Sequence, residues 1–258
     1  MMLNVSTYMG HWPFRPLSTE TLDGVAAIAE KEGSTHIITA NLNGLFYQNC
    51  QKANEELYAQ LQSYKGDVKV LPFAMINPTY IAWEKDLATC LDTYGFKGVE
   101  LAPAYHRYAW DDPKVVAFYK MCGENNIPVR INNSFENMRQ RNLNDFQGEC
   151  IAEIPKLVTT DKKTLSILTQ AVPGHLWWLP NMAAEFENFY VDISRIAFMT
   201  HPTSQFLLIN YPIERFCYGS LLPFQYGEAV LPRLYYAEIS DEQKDNILFG
   251  TLAKKLGL

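Results

Sequence analysis

Cysteine is scarce in this sequence and nothing pairs it. The five residues, Cys50, Cys90, Cys122, Cys150 and Cys217, are odd in number and form no C-x-x-C motif. That pattern argues against a disulfide framework and against a thiolate zinc site. Basic charge is short as well: the net charge is −6 and the pI about 5.4. Nucleic acid and anionic membrane surfaces both favour basic partners, so neither is expected to bind. No apolar run approaches the ~20 residues that a spanning helix needs, and the start lacks the basic segment and apolar run of a secretory leader. A soluble, cytoplasmic protein with reduced thiols is expected. Several local motifs are missing too. There is no G-x-G-x-x-G after the first strand, no G-x-x-x-x-G-K, no H-E-x-x-H, no EF-hand loop and no G-x-S-x-G. Dinucleotide, P-loop, zincin and nucleophile-elbow chemistry therefore have no support.

What is present is a large apolar fraction, 48% against 19% charged, enough for a sizeable core. Short apolar runs alternate with longer amphipathic ones, the rhythm of repeated βα units. Strands are predicted near Leu3–Tyr8, His36–Ala40, Val68–Ile76, Gly98–Leu101, Pro128–Asn132, His175–Trp178, Phe189–Ile193 and Arg215–Gly219. Helices are predicted over Ser18–Lys31, Ala53–Ser63, Tyr80–Tyr94, Pro113–Asn125, Thr160–Ala171, Asp241–Phe249 and Thr251–Leu256. Phe135–Lys156 has no clean period and reads as a long loop over a pocket. The length of 258 residues suits one closed α/β barrel. A doubly wound open sheet fits the periodicity nearly as well.

In a barrel, chemistry gathers where strands end and βα loops begin. Those ends carry His11, Trp12 and Arg15 after the first strand, and Asn41 after the second. Glu100 lies on the fourth, with His106 just beyond it. Arg130 and Asn132 close the fifth, Trp178 the sixth, and Asp192 the seventh. The set is polar and aromatic and suits a small organic ligand with carbonyl or hydroxyl groups.

Taken in order, these pieces resemble the amidohydrolase-related proteins, a family of metal-dependent hydrolases and decarboxylases. Phe96-Lys97-Gly98-Val99-Glu100-Leu101 is similar to the family's fourth strand and Glu187–Ser194 to its seventh. Tyr218-Gly219-Ser220-Leu221-Leu222-Pro223 is similar to its Phe-Gly-Ser-Asp-x-Pro segment. Ile247–Leu258 is similar to its terminal helix. The resemblance implies a single (β/α)8 TIM barrel over residues 1–258, and a divalent metal such as zinc as the family default. It also exposes departures. Ser6 and Tyr8 stand where the family has two histidines on strand 1. Asn132 stands where strand 5 supplies a histidine, and Leu221 where strand 8 supplies the aspartate that ligates and moves protons. Only His175 offers a ligand for strand 6. A catalytic zinc needs about three protein ligands and an open position, so no metal or other cofactor is expected here.

The expected function is an enzyme acting on a small carbonyl or carboxylate compound, by hydrolysis or C–C cleavage. Glu100 and His106 would move protons. His11, Trp12, Arg15, Asn41, Arg130, Asn132, Trp178 and Asp192 would bind substrate. Each has a plainer reading. Glu100 would simply pair with Arg130, His106 would pack in a loop, and Arg15 would clamp the N-terminal segment. Asn41 would cap a loop, and Asp192 would be structural. The alternative function is a non-catalytic ligand-binding barrel, and a mouth packed shut would favour it. The Tyr-rich stretch Ala229–Tyr236 would support a homodimer.

Overall fold

A computed structural model describes residues 1–132, 134–135, 151–182, 185–196 and 210–258. Eight parallel strands pair in chain order: β1 (Leu3–Met9), β2 (His36–Asn41), β3 (Lys69–Met75), β4 (Gly98–Leu101), β5 (Val129–Asn132), β6 (Ser166–Thr169), β7 (Phe189–Asp192) and β8 (Phe216–Cys217). The last strand returns to the first. Val5 N–H donates to Tyr218 O at 2.9 Å, Tyr8 N–H to Leu222 O at 2.9 Å, and Leu222 N–H to Ser6 O at 3.1 Å. The side chain of Asn4 stitches the same seam, donating to Ser220 Oγ at 2.6 Å and accepting from Ser220 N–H at 3.1 Å. The result is a nearly closed (β/α)8 barrel. Nearly every strand residue is buried, as expected of parallel strands covered on both faces.

Three crossover helices start at a side-chain cap. Thr21 caps α1 (Leu22–Lys31) by accepting from Gly24 N–H. Asn49 caps α2 (Cys50–Ser63) by accepting from Gln51 N–H. The short α3 (Trp83–Ala88) runs into a π-turn at Thr89–Thr93, and α4 (Pro103–His106) is a single turn. Asp112, followed by a proline at the first helical position, caps α5 (Pro113–Glu124). Later elements are α6 (Pro155–Val158), α7 (Leu179–Met182) and helices at Leu231–Tyr235, Asp241–Leu248 and Gly250–Lys255.

Side chains alternate across each strand and sort into two cores. Outward residues such as Ile37, Ala74, Val99, Ile131 and Val191 pack under the helices. Inward residues Val5, Ile38, Phe73, Ile167, Tyr190 and Cys217 fill the lower barrel, where Leu252 and Ala253 of the last helix plug its floor. Above them lies a polar layer.

The sixth βα unit differs from the sequence expectation. Ser166–Thr169 is a strand rather than part of a helix, and His175–Trp178 begins in a 3-10 turn. Leu165, Ile167 and Leu168 are too few to reveal a period. Pairing with β5 on one side and β7 on the other decides their state. Most of the loop expected over Phe135–Lys156 lies outside the described residues; its end forms a 3-10 turn at Ile151–Glu153 and α6. No described helix is long and apolar enough to cross a membrane.

Candidate active site

The upper layer of the barrel interior is polar because every second residue there points inward. Tyr8, Glu100, Arg130, Asn132, Thr169 and Asp192 all contribute side chains that are fully buried. Strand β1 reaches this layer through a bulge, since its register with β2 shifts between Asn4 and Thr7. Two residues of β1 there face one of β2, which frees a carbonyl from the ladder. The Arg130 guanidinium uses it. Its Nη1 donates to Val5 O at 2.7 Å and to Ile38 O at 2.8 Å, while its Nε donates to Glu100 Oε2 in a very short contact. The guanidinium carbon also sits 4.4 Å from the centre of the Tyr8 ring, a cation–π contact strengthened by the burial of both groups. Burial disfavours the charge of Arg130, but Glu100, Tyr8 and Asp192 together hold the arginine pKa above its ordinary value, while burial also raises the Glu100 carboxyl against the pull of the arginine.

Tyr8 ties the layer together. Its hydroxyl donates to Glu100 Oε1 at 3.3 Å and accepts from Asn132 Nδ2 at 3.2 Å and Gln170 Nε2 at 3.3 Å. Asp192 accepts on one oxygen only: Oδ1 takes Gln170 N–H at 3.1 Å and Ser194 Oγ at 2.9 Å. Its Oδ2 has no hydrogen-bond partner among the described residues, and neither do Ser6 Oγ, Asn132 Oδ1 or Arg130 Nη2. Asp192 and Ser6 face each other across Gly219, where any Cβ would lie 2.5 Å from Asp192 Oδ2 and 2.9 Å from Ser6 Cβ. Burial pushes the Asp192 carboxyl up to about 6, against the pull of its bonds to Ser194 and Gln170 and of the nearby Ser6 hydroxyl.

An aromatic roof covers this layer. Phe135 packs edge-on against Tyr8 with ring centres 4.8 Å apart, and Trp12 meets Phe224 at 4.9 Å and Phe135 at 5.4 Å. Leu221 is fully buried in the same cluster and holds a left-handed backbone at φ 59°. Gln170, at φ 62°, is the second non-glycine residue beside the layer in that region. Such conformations cost about 1–2 kcal/mol each.

The sequence candidates thus divide. Glu100, Arg130, Asn132 and Asp192 come together in one layer, with Trp12 in the roof above. His106 does not join them. Its Nε2 lies 3.1 Å from Gly44 O and 3.6 Å from Cys50 Sγ. The first contact fixes Nε2 as the N–H, so this nitrogen takes no proton from the thiol. Burial lowers the imidazole to about 4 and raises Cys50 to about 12, which leaves both neutral. His106 is therefore a latch between the β4 and β2 loops, and the expected proton-transfer pair with Glu100 does not form. His11 is exposed and bonded to Glu20 at 2.8 Å. Arg15 clamps the rim, its Nη2 3.5 Å from Phe224 O. Asn41 secures a loop: Nδ2 donates to Ala53 O at 2.9 Å and Oδ1 accepts from Asn43 N–H at 3.0 Å. The preceding turn passes so close to that amide that Gly10, at φ 101°, admits no side chain. Trp178 packs on Phe189 in the outer core. Sequence reading missed Gln170, which follows the misread strand, and the roof residues Phe135 and Phe224.

A metal does not fit this layer. Leu221 is sealed in the roof, Tyr8 is committed to Glu100, and Glu100 to Arg130. A divalent ion would sit against a buried guanidinium. Among the described residues no three His, Cys, Asp or Glu side chains are grouped to hold a metal. His175 lies in a turn beyond β6, off the strand.

The amidohydrolase family model matches residues 20–258. This chain belongs to the amidohydrolase family. Solved structures share its barrel at low identity. A 2,6-dihydroxybenzoate decarboxylase from Rhizobium superposes with TM-score 0.73 and 14% identity, covering 99% of this chain and 98% of the other. A 5-carboxyvanillate decarboxylase from Sphingomonas paucimobilis gives 0.74 and 12%, covering 100% and 99%. A 4-oxalomesaconate hydratase from Rhodopseudomonas palustris gives 0.64 and 15%, covering 100% and 96%. No curated protein sequence matches the chain.

Proposed function

We propose that this amidohydrolase acts on a small carbonyl or carboxylate compound, by hydrolysis or C–C cleavage, with Asp192 as the proton-moving group. One observation carries the reading. Asp192 Oδ2, Ser6 Oγ, Asn132 Oδ1 and Arg130 Nη2 are buried in a single layer at the strand ends with no hydrogen-bond partner among the described residues. Each such atom costs about 1–3 kcal/mol in a fold that never uses it. The layer has a fixed cation in Arg130 for an oxyanion and amide groups for orientation. Its carboxyl, raised to about 6, is populated in both forms near neutrality. In a C–C cleavage the neutral acid would protonate the carbon that keeps the bonding pair as carbon dioxide leaves. In a hydrolysis the carboxylate would take the proton from attacking water. The decarboxylase and hydratase neighbours support this range of chemistry by analogy of fold.

The roof favours a second reading, a barrel that binds without turning over, because every member of the layer is shielded from solvent. Asp192→Asn separates the two. Turnover of a carbonyl, ester and carboxylate panel that changes across pH 6 in the wild type should vanish in the variant. Folding is not what fails. The folded pKa of Asp192 is raised, so its favourable contribution is present below the ordinary carboxyl range and lost as pH rises through about 6. That loss is about 3 kcal/mol, and the neutral asparagine avoids it. Turnover that survives in Asp192→Asn rejects the proposed role, and no turnover in either protein leaves the binding reading standing.

A further inference from the structure

We infer that the loop of residues 10–20, which joins β1 to α1, is a hinged lid: Trp12 plugs the barrel mouth, and the loop swings outward to admit a ligand to the polar layer. The inference rests on the reading that this layer takes a ligand. Tyr8, Glu100, Arg130, Asn132 and Asp192 are all fully buried, so whatever reaches them crosses the aromatic roof. The rings of that roof are not equally held. Phe224 follows β8, where main-chain bonds fix it. Leu222 N–H donates to Ser6 O at 3.1 Å, Leu222 O accepts from Tyr8 N–H at 2.9 Å, and Phe224 N–H donates to Leu221 O at 2.8 Å. Lifting this segment would open the seam of the barrel. Phe135 follows β5. Its carbonyl accepts from Arg195 Nη2 at 2.7 Å, and Ser134 N–H donates to Gln170 Oε1 at 3.2 Å.

The loop carrying Trp12 is built differently. Its ends meet, as in a compact Ω-loop. Gly10 N–H donates to Glu20 O at 2.8 Å, and the side chains of His11 and Glu20 meet at 2.8 Å. His11 N–H adds a bond to Asn43 Oδ1 at 2.9 Å, and Gly10 turns the chain at φ 101°. The neck is thus fixed and serves as the hinge. Beyond it, no main-chain hydrogen bond joins residues 12–19 to another described residue. Of residues 11–20 only Trp12 is buried. The described contacts that hold the loop down are made by side chains. Trp12 meets Phe135 at 5.4 Å and Phe224 at 4.9 Å, Phe14 packs on Phe46 at 5.9 Å, and the Arg15 guanidinium lies 5.5 Å from the centre of the Phe224 ring. A segment with a fixed neck, one buried side chain and no main-chain ladder opens locally at far less cost than the fold as a whole. Lids over active sites share that design.

The labelling rate of a thiol placed under the roof tests the lid. The Ser6→Cys variant of the full chain is treated with methyl methanethiosulfonate, a small neutral reagent, and each cysteine is followed by peptide mass spectrometry. Cys217, buried in the lower barrel, reports opening of the whole fold in the same molecule. The introduced thiol should be labelled at least about tenfold faster than Cys217, at a rate that low urea leaves unchanged, because a local opening exposes little surface. Arg15→Ala removes the clamp on Phe224 and leaves every roof ring in place. It should speed labelling of the introduced thiol by about threefold, the worth of one exposed cation–π contact, without changing Cys217. Thr169→Cys takes the place of the reporter if Ser6→Cys does not fold. Labelling no faster than that of Cys217, or a rate that Arg15→Ala leaves unchanged, overturns the lid. Labelling needs no turnover, so such a failure stands apart from the role of Asp192, which Asp192→Asn decides.

Discussion

His106 and Arg130 show how burial decides what a charged side chain can do. His106 is held neutral, its pKa lowered to about 4 by burial. A histidine depressed in the folded state contributes stability that is present above its ordinary value near 6.5 and lost as pH falls through 4. The unfolded chain takes up a proton in that window that the folded chain refuses. The loss is at most about 3 kcal/mol. Glutamine at this position keeps an N–H for Gly44 O and removes the titration. Denaturant unfolding of His106→Gln between pH 4 and 6.5 should therefore give a flatter stability profile than wild type. Arg130 presents the reverse case. It is paired with Glu100 where neither is exposed, so truncating the arginine leaves an unpaired buried carboxylate. Arg130→Met should cost about 3–5 kcal/mol, and the double substitution with Glu100→Gln should recover much of it. A chemical denaturation cycle reads both. A double variant no more stable than the single one would mean that Glu100 is not ionised beside the arginine.

The roof and the first strand are the elements that shape the candidate site. The bulge in β1 supplies Arg130 with Val5 O, and the same strand lifts Tyr8 into the centre of the layer. Phe135 lies between Tyr8, Trp12, Tyr105 and Phe224, so it is the keystone of the roof. Phe135→Ala should destabilise the fold by about 3–5 kcal/mol if the rings stay apart, and by less if they collapse into the gap. The same substitution opens the cover over Tyr8. Faster quenching of tryptophan fluorescence by acrylamide, from Trp12, should accompany it. Unchanged quenching would mean that another part of the chain shields the layer.

The barrel as a whole depends on closure of β8 onto β1. Only short stretches of main chain bridge that seam, and Asn4 reinforces them from both sides through Ser220 and Ser6 N–H. Asn4→Ala strands a buried hydroxyl and two N–H groups, which should cost about 2–4 kcal/mol. Hydrogen exchange should then rise first at Val5, Tyr8 and Leu222. Exchange that rises evenly around the barrel would place the weakest point elsewhere.

Much of this architecture is legible in the order of residues. Apolar runs alternating with capped amphipathic segments specify βα units, because strands buried on both faces and helices buried on one demand those patterns. The strands before and after the sixth are readable for that reason. The replacement of the family's metal positions by Ser6, Tyr8, Asn132 and Leu221 is equally a property of the sequence. Tertiary structure alone decides the rest. Strand β6 lies in a segment whose pattern also suits a helix, and it takes its state from its two neighbours. Whether a polar residue at a strand end faces the barrel depends on pleat and on a bulge that no local pattern announces. Glu100 and His106 lie six positions apart, yet one turns into the barrel and the other out to Gly44. Asp192 acquires its raised pKa and Cys50 its histidine neighbour from burial and approach across strands, which only the closed barrel brings about.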